Sequence, residues 1–419
     1  MAPAGLDEQF YADLDARLGP SDERYRTEYP GEPGTRQPVH TVYVPAHTYA
    51  ADTVAAWGAQ AATMLDDHAP DAQALADLVG IAVELAAEVR PLVAAKLTRE
   101  PIEDLRIDFE DGYGPHTDAD EDAEAERTAG ELAASVRSGT APPFVGLRFK
   151  CLEPATRRRG LRTLDLFLAR LLAAGGLPAG FMITLPKVTQ VEQVAAFVRV
   201  CAALEDAHGL PGHRLAFEIQ VETPQAVQSS AGTAAVSAMI RIGAGRVSAL
   251  HYGTYDYSAA CGISAGNQSL AHPAADHAKA VMQLAAAGTG VRISDGSTNV
   301  LPVGDRTAIR AAWRLHAGLV RRALGRGYYQ GWDLHPGQLV TRYAATYAFY
   351  RAGLPDAAGR LRAYLAHTGG GVLDEPATAQ AMASLLVRGL DSGALTEDEV
   401  AARTGVGRDV LDGFYRRRV

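Results

Sequence analysis

Ionisable residues recur at the downstream ends of short β-type segments in this 419-residue chain. Each segment is rich in Val, Ile, Phe or Thr and precedes a stretch with helical periodicity. In a barrel of parallel strands, the downstream strand ends open onto one face, where catalytic residues gather. The candidate site residues are therefore Asp108, Glu110, Asp111, Arg148, Lys187, Glu222, Asp256, Asp295 and His335.

Two of these acids, Glu222 and Asp256, end consecutive β-type segments, LAFEIQVE (215–222) and VSALHYGTYD (247–256). Carboxylates one strand apart can hold a hard cation such as Mg²⁺, with water and substrate oxygens completing the octahedron. Alternatively, each acid ends its strand alone and caps the next helix. The spacing leaves both interpretations open.

Three further acids, Asp108, Glu110 and Asp111, lie within four residues at the end of LRIDFED. They cannot all be buried without partners. Strand alternation places Asp108 and Glu110 on one face and Asp111 on the other. Glu110 and Asp111 are predicted to orient metal-bound water or a neighbouring basic residue, whereas the acidic run 117–126 is predicted to be a solvated surface.

Arg148 and Lys187 are the basic candidates. A guanidinium in the apolar segment FVGLRFK is costly unless it is paired, and its planar fork suits a carboxylate of the protein or of a substrate. Lys187 follows Pro186 at the end of FMITLPKV, where it could supply positive charge or hold an acid such as Glu110. His335, in WDLHPGQ, is predicted to be either a catalytic residue or a helix cap.

The elements that must position these residues form eight β-then-α units, the number that a closed (β/α)8 barrel needs. An open doubly wound sheet is the rival, but it usually carries a Gly-rich phosphate turn after its first strand, and VPAHTYAADT has none. We therefore predict an α/β fold: a helical N-terminal extension (1–38), a TIM barrel (39–352) and a C-terminal helical cap (353–419). The predicted strands cover 40–46, 105–111, 144–150, 181–188, 215–222, 247–256, 291–297 and 328–335.

Two short patterns suggest other functions. Residues 395–411, LTEDEVAARTGVGRDVL, have the form of a helix–turn–helix, which is either a DNA reader or a helical cap. GISAG (262–266) matches G-x-S-x-G, with Asp295 and His335 following Ser264 in hydrolase order. That motif needs a strand directly before it, and YSAAC stands there instead.

Composition narrows the function classes. A net charge of −9 argues against a nucleic-acid partner. The sequence contains neither an apolar run of about 18 residues nor a secretory signal pattern, so we expect no membrane partner. Cys151, Cys201 and Cys261 lie far apart, which fits a reducing cytoplasm and gives no disulfide or metal framework.

Seven segments occur in an order that is typical of one superfamily: VYVPA, IDFEDGYG, LRFK, LPKV, IQVETPQAV, YGTYDYSAACG and LHPGQ. Over residues 40–340 the chain resembles the HpcH/HpaI aldolase and citrate lyase β-subunit superfamily, which includes malyl-CoA lyases. The resemblance implies a Mg²⁺-dependent (β/α)8 enzyme, with Mn²⁺ as an alternative. Such an enzyme makes or breaks a carbon–carbon bond next to a 2-oxo or 3-hydroxy acid through a metal-stabilised enolate. It also implies a homo-oligomer, a trimer or hexamer.

The resemblance carries roles onto individual residues. It places the metal ligands at Glu222 and Asp256 and the arginine for the substrate carboxylate at Arg148. It places the acid pair near the metal at Glu110 and Asp111, and the lysine of the P-K pair at Lys187. Independently of the resemblance, we predict that Asp108 takes part in substrate binding with Arg148. The general base stays open between metal-bound water, His335 and a residue from a neighbouring subunit.

The substrate is left open by two departures from the superfamily pattern. YDYSAA stands where an aspartate followed by an aliphatic residue is usual, and the sequence shows no clear coenzyme A site. Both free acids and coenzyme A thioesters are therefore candidates. The alternatives are a malate-synthase-like condensing enzyme and a catalytically silent barrel that acts as a binding or regulatory subunit through its C-terminal helices.

Overall fold

Eight parallel strands lie side by side and curve into a barrel in a computed structural model that describes residues 6–366 and 375–416. Their order in space is β7-β6-β5-β4-β3-β2-β1-β8. Backbone hydrogen bonds from Asp295 N to Gln330 O (2.8 Å) and from Trp332 N to Gly296 O (3.3 Å) bridge the gap between β7 and β8. The predicted (β/α)8 fold is confirmed. The strands are β1 Thr41–Pro45, β2 Asp104–Asp108, β3 Phe144–Arg148, β4 Phe181–Leu185, β5 Phe217–Val221, β6 Val247–Tyr252, β7 Arg292–Ser294 and β8 Trp332–Asp333.

Helices surround the barrel and extend it at both ends of the chain. Three α-helices lie between β1 and β2, and the second of them ends at Gly80, which has a φ of 73°. Two short helices lie between β5 and β6 and are joined by a turn that contains a bridge from Gln228 to Ala234. The helices are α1 Glu8–Glu28, α2 Thr53–His68, α3 Ala72–Val79, α4 Val83–Arg99, α5 Asp118–Ser138, α6 Arg157–Ala173, α7 Val191–His208, α8 Pro224–Val227, α9 Ala235–Ile242, α10 Thr254–Ala260, α11 Pro273–Ala286, α12 Arg306–Gly325, α13 Pro336–Leu365, α14 Pro376–Ser392, α15 Glu397–Thr404 and α16 Arg408–Tyr415.

The last four helices pack on the barrel and on one another. Helix α13 runs through residue 352 without a break and contacts α2, α4 and α12 on the barrel side and α14 and α15 on the other. The two helices of the helix–turn–helix-like segment bury Val400 and Leu411, and Arg408 of α16 pairs with Asp391 of α14 at 2.9 Å. These contacts match the helical-cap interpretation of the segment.

The strand residues alternate between aliphatic and polar side chains. Those facing the helices, such as Val42, Ile107, Leu147 and Ile219, are fully buried and form the core between barrel and helices. Side chains from non-adjacent strands meet inside the barrel, where branched aliphatic residues usually fill the space. The polar residues that face the interior are Thr41, Tyr43, Asp104, Arg106, Asp108, Arg148, Thr184, Glu218, Gln220 and His251.

A buried guanidinium connects opposite sides of this interior. Arg106 of β2 donates to both carboxylate oxygens of Glu218 on β5 (Nε to Oε1 3.0 Å, Nη2 to Oε2 2.7 Å). It also pairs with Asp104 of its own strand and donates to Thr184 Oγ1 at 3.1 Å. Because β2 and β5 are three strands apart, this ion pair spans the barrel.

Within the described ranges, no helix combines the length and apolar character needed to cross a bilayer.

Replacing Arg106 by Met is expected to destabilise the fold by about 3–5 kcal/mol, because it leaves the Asp104 and Glu218 carboxylates buried without their cation. The change would be measured as the free energy of urea-induced unfolding. Arg158→Met, on the exposed face of α6, is the matched control and is expected to change that free energy by about 0.5 kcal/mol at most. An equal, small effect of both substitutions would contradict a structural role for the Arg106 ion pair.

Candidate active site

The candidate site is built around a bidentate ion pair at the C-terminal end of β2 and β3. Arg148 donates from Nε to Asp108 Oδ1 and from Nη2 to Asp108 Oδ2, both at 2.6 Å. The guanidinium carbon of Arg148 lies over the Tyr43 ring, 4.8 Å from the ring centroid. Both partners are buried, so the guanidinium is fixed in one orientation, with Nη1 directed away from Asp108.

The acids that follow Asp108 are turned into the site by Asp108 itself. Its carboxylate accepts hydrogen bonds from the backbone N–H groups of Glu110 (3.0 Å) and Gly112 (2.9 Å). The strand therefore ends at Asp108, and strand alternation no longer separates the two next acids. The expectation that Asp111 lies on the opposite face from Glu110 was wrong, because both carboxylates reach the same ammonium group.

That ammonium group belongs to Lys187. Its Nζ lies 3.1 Å from Glu110 Oε1, 3.1 Å from Asp111 Oδ2 and 2.9 Å from Asp256 Oδ2. Its backbone N–H donates to Glu222 Oε1 at 2.8 Å. Lys187 has a φ of 50°, a conformation that is uncommon for a residue with a side chain. One residue thus touches four carboxylates from three strand ends.

Glu222 and Asp256 enter from different elements. Glu222 directly follows β5 and is buried, whereas Asp256 lies in the first turn of α10, four residues after β6, and is half-exposed. The segment that was predicted as strand through residue 256 therefore turns into helix after Tyr252. Gly253 makes room at this turn, since a Cβ there would lie 2.3 Å from the Cβ of Glu222.

Burial and crowding shift the protonation of these acids. Burial, with a contribution from Asp111 and Glu222, raises the pKa of Glu110 to about 8. Burial, with a contribution from Asp256, raises the pKa of Glu222 to about 7. The pKa of Lys187 is raised despite its burial, because Glu110 and Glu222 favour the charged ammonium. The site thus holds carboxylates that lack sufficient positive charge.

The excess of negative charge in the site indicates whether a divalent cation fits there. Apart from the Asp108–Arg148 pair, three carboxylates contact the ammonium of Lys187, and a fourth, Glu222, accepts from its backbone N–H. Glu110 Oε2 is buried without a hydrogen-bond partner, although Arg148 Nη1 lies 3.3 Å away. No group of three or more His, Cys, Asp or Glu ligands occurs in the part of the chain that the structure describes. Mg²⁺ needs fewer, because it commonly takes one or two carboxylates and keeps its water. The residues present therefore fit such an ion.

The sequence analysis missed two residues of the site. The Gln220 amide accepts from Arg148 Nη1 at 3.4 Å, while its Nε2 is buried without a partner. Tyr43, which covers the guanidinium of Arg148, was not singled out either. Both lie in segments that carried the family resemblance, IQVETPQAV and VYVPA. Their inward orientation, which decides their role, depends on the barrel.

Other candidates lie outside this cluster. His335 caps α13, where its Nδ1 accepts from Gly337 N at 3.0 Å, and burial lowers its pKa. Ser264 is exposed and accepts from Asn267 Nδ2 at 2.8 Å, while Asp295 pairs with Lys279 at 3.0 Å. No Ser-His-Asp arrangement connects these three residues among their described contacts.

The chain is similar to known proteins in both sequence and fold. A family model described as "Domain of unknown function (DUF6986)" matches residues 18–419. No curated protein matches the sequence. Solved structures with a similar fold include Haloferax volcanii malate synthase as a lead(II) complex, with 17% identity over 91% of this chain and 92% of that chain and a TM-score of 0.48. They also include its magnesium and glyoxylate complex, with 16% identity over 74% and 75% and a TM-score of 0.47.

A third similar structure is Mycobacterium tuberculosis CitE with magnesium and acetate, with 16% identity over 85% of this chain and 98% of that chain and a TM-score of 0.44. At these identities and TM-scores, similarity does not assign a reaction to this chain.

The protein is expected to become less stable as the pH rises from about 5 to about 8 without divalent cations. Glu110 and Glu222 have a raised pKa in the folded state, so their stabilising protons are present at low pH and are lost across this window. The measurement is the melting temperature against pH in the presence of a chelator. Glu110→Gln should flatten the slope, whereas Glu126→Gln, on the exposed surface of α5, should leave it unchanged. A slope that Glu110→Gln does not alter would refute this assignment.

Proposed function

The chain belongs to the family described as "Domain of unknown function (DUF6986)", and we propose that it is a Mg²⁺-dependent carbon–carbon lyase for a 2-oxo or 3-hydroxy acid. One observation carries this proposal. Four carboxylates surround Lys187, next to the guanidinium of Arg148. Nη1 of this guanidinium is directed toward two of them, Glu110 and Asp111. That arrangement offers a place for a cation beside a place for an organic acid.

The cation position is assigned to Glu222 and Asp256. Their carboxylates approach Lys187 from two different strand ends, so they can hold one ion between them with water and substrate oxygens in the remaining positions. When bound, Mg²⁺ supplies Lewis-acid stabilisation of the negative charge that develops on the substrate's oxo oxygen. Lys187 offsets part of the excess charge of the four carboxylates.

The substrate carboxylate is assigned to Arg148 and Gln220. Asp108 occupies Nε and Nη2 of the guanidinium and leaves Nη1 toward Glu110. The amide oxygen of Gln220 accepts a hydrogen bond from this Nη1, while the amide nitrogen Nε2 of the same side chain is buried without a partner. A buried donor without a partner costs free energy, and an oxygen of the substrate would satisfy it. Asp108 thus acts by orienting Arg148.

Proton transfer is assigned to Glu110, with Asp111 beside it. Glu110 Oε2 is the buried carboxylate oxygen that lacks a hydrogen-bond partner. In the cleavage direction it accepts the proton of the substrate hydroxyl while the carbon–carbon bond breaks and that hydroxyl becomes a carbonyl. The electron pair of the broken bond moves into the other fragment, whose carbon then takes up a proton.

The first test is isothermal titration of Mg²⁺ with pyruvate, glyoxylate or oxaloacetate. The wild type is expected to bind an oxo acid only when the ion is present. Replacing a residue that only supports a metal ligand typically weakens metal binding roughly 10–100-fold. Asp256→Ala and Glu222→Gln should weaken ion binding by more than this, whereas Glu126→Gln should bind as the wild type does. Undiminished ion binding by both site variants would refute the proposed site. Assays with glyoxylate and acetyl-coenzyme A would then separate cleavage of a free acid from condensation with a thioester.

Arg148→Lys separates the role of the guanidinium from that of its charge. Lysine keeps the positive charge but cannot hold Asp108 and an organic acid with one planar fork. Oxo-acid affinity is therefore expected to fall about tenfold, equivalent to about 1.4 kcal/mol, with Mg²⁺ affinity little changed. Parallel titrations of ion and acid measure both quantities, and equal oxo-acid affinity in variant and wild type would remove Arg148 from substrate binding.

A further inference from the structure

Helix α1 has no packing partner among the described residues. None of its residues is buried. Phe10, Leu14 and Leu18 are four residues apart and form one face, with Tyr25 on the same side, and their side chains are 40–65% exposed. A solitary helix is marginal in water, and this one contains Gly19 and Pro20. Its apolar face therefore needs a surface to cover it.

A cleft of about 910 Å³ opens at the N-terminal end of the barrel, beside the starts of β2 and β3. Its apolar wall includes Val54, Ala59, Pro143 and Leu390. Arg99, also in the lining, is exposed and has no carboxylate partner in the described parts of the chain. The cleft thus offers apolar surface next to an available cation.

Both features lie at the same end of the barrel. The connector after α1 is fixed there by a hydrogen bond from Gly31 N to Gly288 O (2.8 Å), just before β7. It then crosses toward β2, where Arg36 pairs with Glu100 at 2.7 Å. In the barrel order, β7 is separated from β2 by β8 and β1. The point at which α1 joins the barrel therefore lies away from the chain's own cleft.

The charges of the two surfaces are complementary. Helix α1 carries six acidic residues and three arginines. In the cleft lining, Arg36 and Lys96 are already paired with Glu100 and Glu103, and Asp391 is paired with Arg408. The positive charge that remains for the helix is that of Arg99. We propose that α1 docks in this cleft on a second copy of the chain, with its apolar face on the wall and its acids near Arg99. Because each copy has one helix and one cleft at the same end, two copies satisfy both surfaces in a closed, symmetric pair.

The test compares the association of four proteins by sedimentation velocity over a range of concentrations. Leu14→Asp places a charge in the apolar face of the helix, and Ala59→Glu with Arg99→Glu makes the cleft acidic. Each change is expected to weaken association about tenfold or more. Ala16→Asp adds the same charge on the opposite face of α1 and should associate as the wild type does. Circular dichroism and melting temperature would verify that each variant is folded.

Mixing the two defective proteins provides a specific second readout. Leu14→Asp retains an intact cleft, and the cleft variant retains an intact helix. A one-to-one mixture should therefore form mixed pairs through one remaining contact, with an affinity between that of the wild type and that of either variant alone. A fluorescent label on one of the two proteins would detect such pairs directly.

Three results would overturn the proposal. A wild type that stays monomeric at all concentrations would mean that α1 does not dock on a second copy of the chain. Association lost in Leu14→Asp but unchanged in the cleft variant would place α1 against some other surface, such as another α1. Association unchanged in Leu14→Asp would exclude the apolar face of α1 from the contact.

Discussion

The barrel depends on the pairing of charges that it encloses. Its interior holds the Arg106 and Arg148 guanidiniums, where a barrel usually holds branched aliphatic side chains. Each guanidinium has a bidentate carboxylate, Glu218 for Arg106 and Asp108 for Arg148. Removing one partner would leave a buried charge uncompensated, so the geometry of each pair is strongly constrained. The Arg106–Glu218 pair spans the barrel, and the Arg148–Asp108 pair supports the site.

The same electrostatics explains why the site differs from the interior below it. Inside the barrel, the carboxylates have guanidinium partners with short, well-oriented hydrogen bonds. At the strand ends, Glu110, Asp111, Glu222 and Asp256 converge on Lys187, whose ammonium contacts three of them and whose backbone N–H contacts Glu222. Burial raises the pKa of Glu110 and Glu222. In the interior, two carboxylates, Asp104 and Glu218, share the guanidinium of Arg106, whereas four carboxylates surround Lys187 at the site. An excess of buried carboxylates is the electrostatic condition that a divalent cation relieves.

The sequence predicted the parts of this arrangement that depend on chain order. Strand-end position alone singled out Arg148, Lys187 and the acids that the structure brings together, because parallel strands deliver their ends to one face. It did not reveal the Arg106–Glu218 pair. In LRIDFED, charged residues alternate with Leu105 and Ile107, which on an isolated strand would indicate a face toward solvent. Only closure of the barrel turns that face inward. Likewise, the local turn made by Asp108, which brings Asp111 to the site, leaves no signal in strand alternation.

The C-terminal helices and the connector that follows α1 are joined to the polar interior rather than to the site. Arg388 of α14 donates to Gln37 at 2.6 Å, and Gln37 donates to Gln330 at 3.1 Å. Gln330 in turn donates to Thr41, which donates to Asp104, the partner of Arg106. The N-terminal end of the barrel is therefore closed by a continuous series of hydrogen bonds that begins in the C-terminal cap. Any contact that orders the connector and the cap at that end would also hold the buried ion pairs in place, at the opposite end of the barrel from the chemistry.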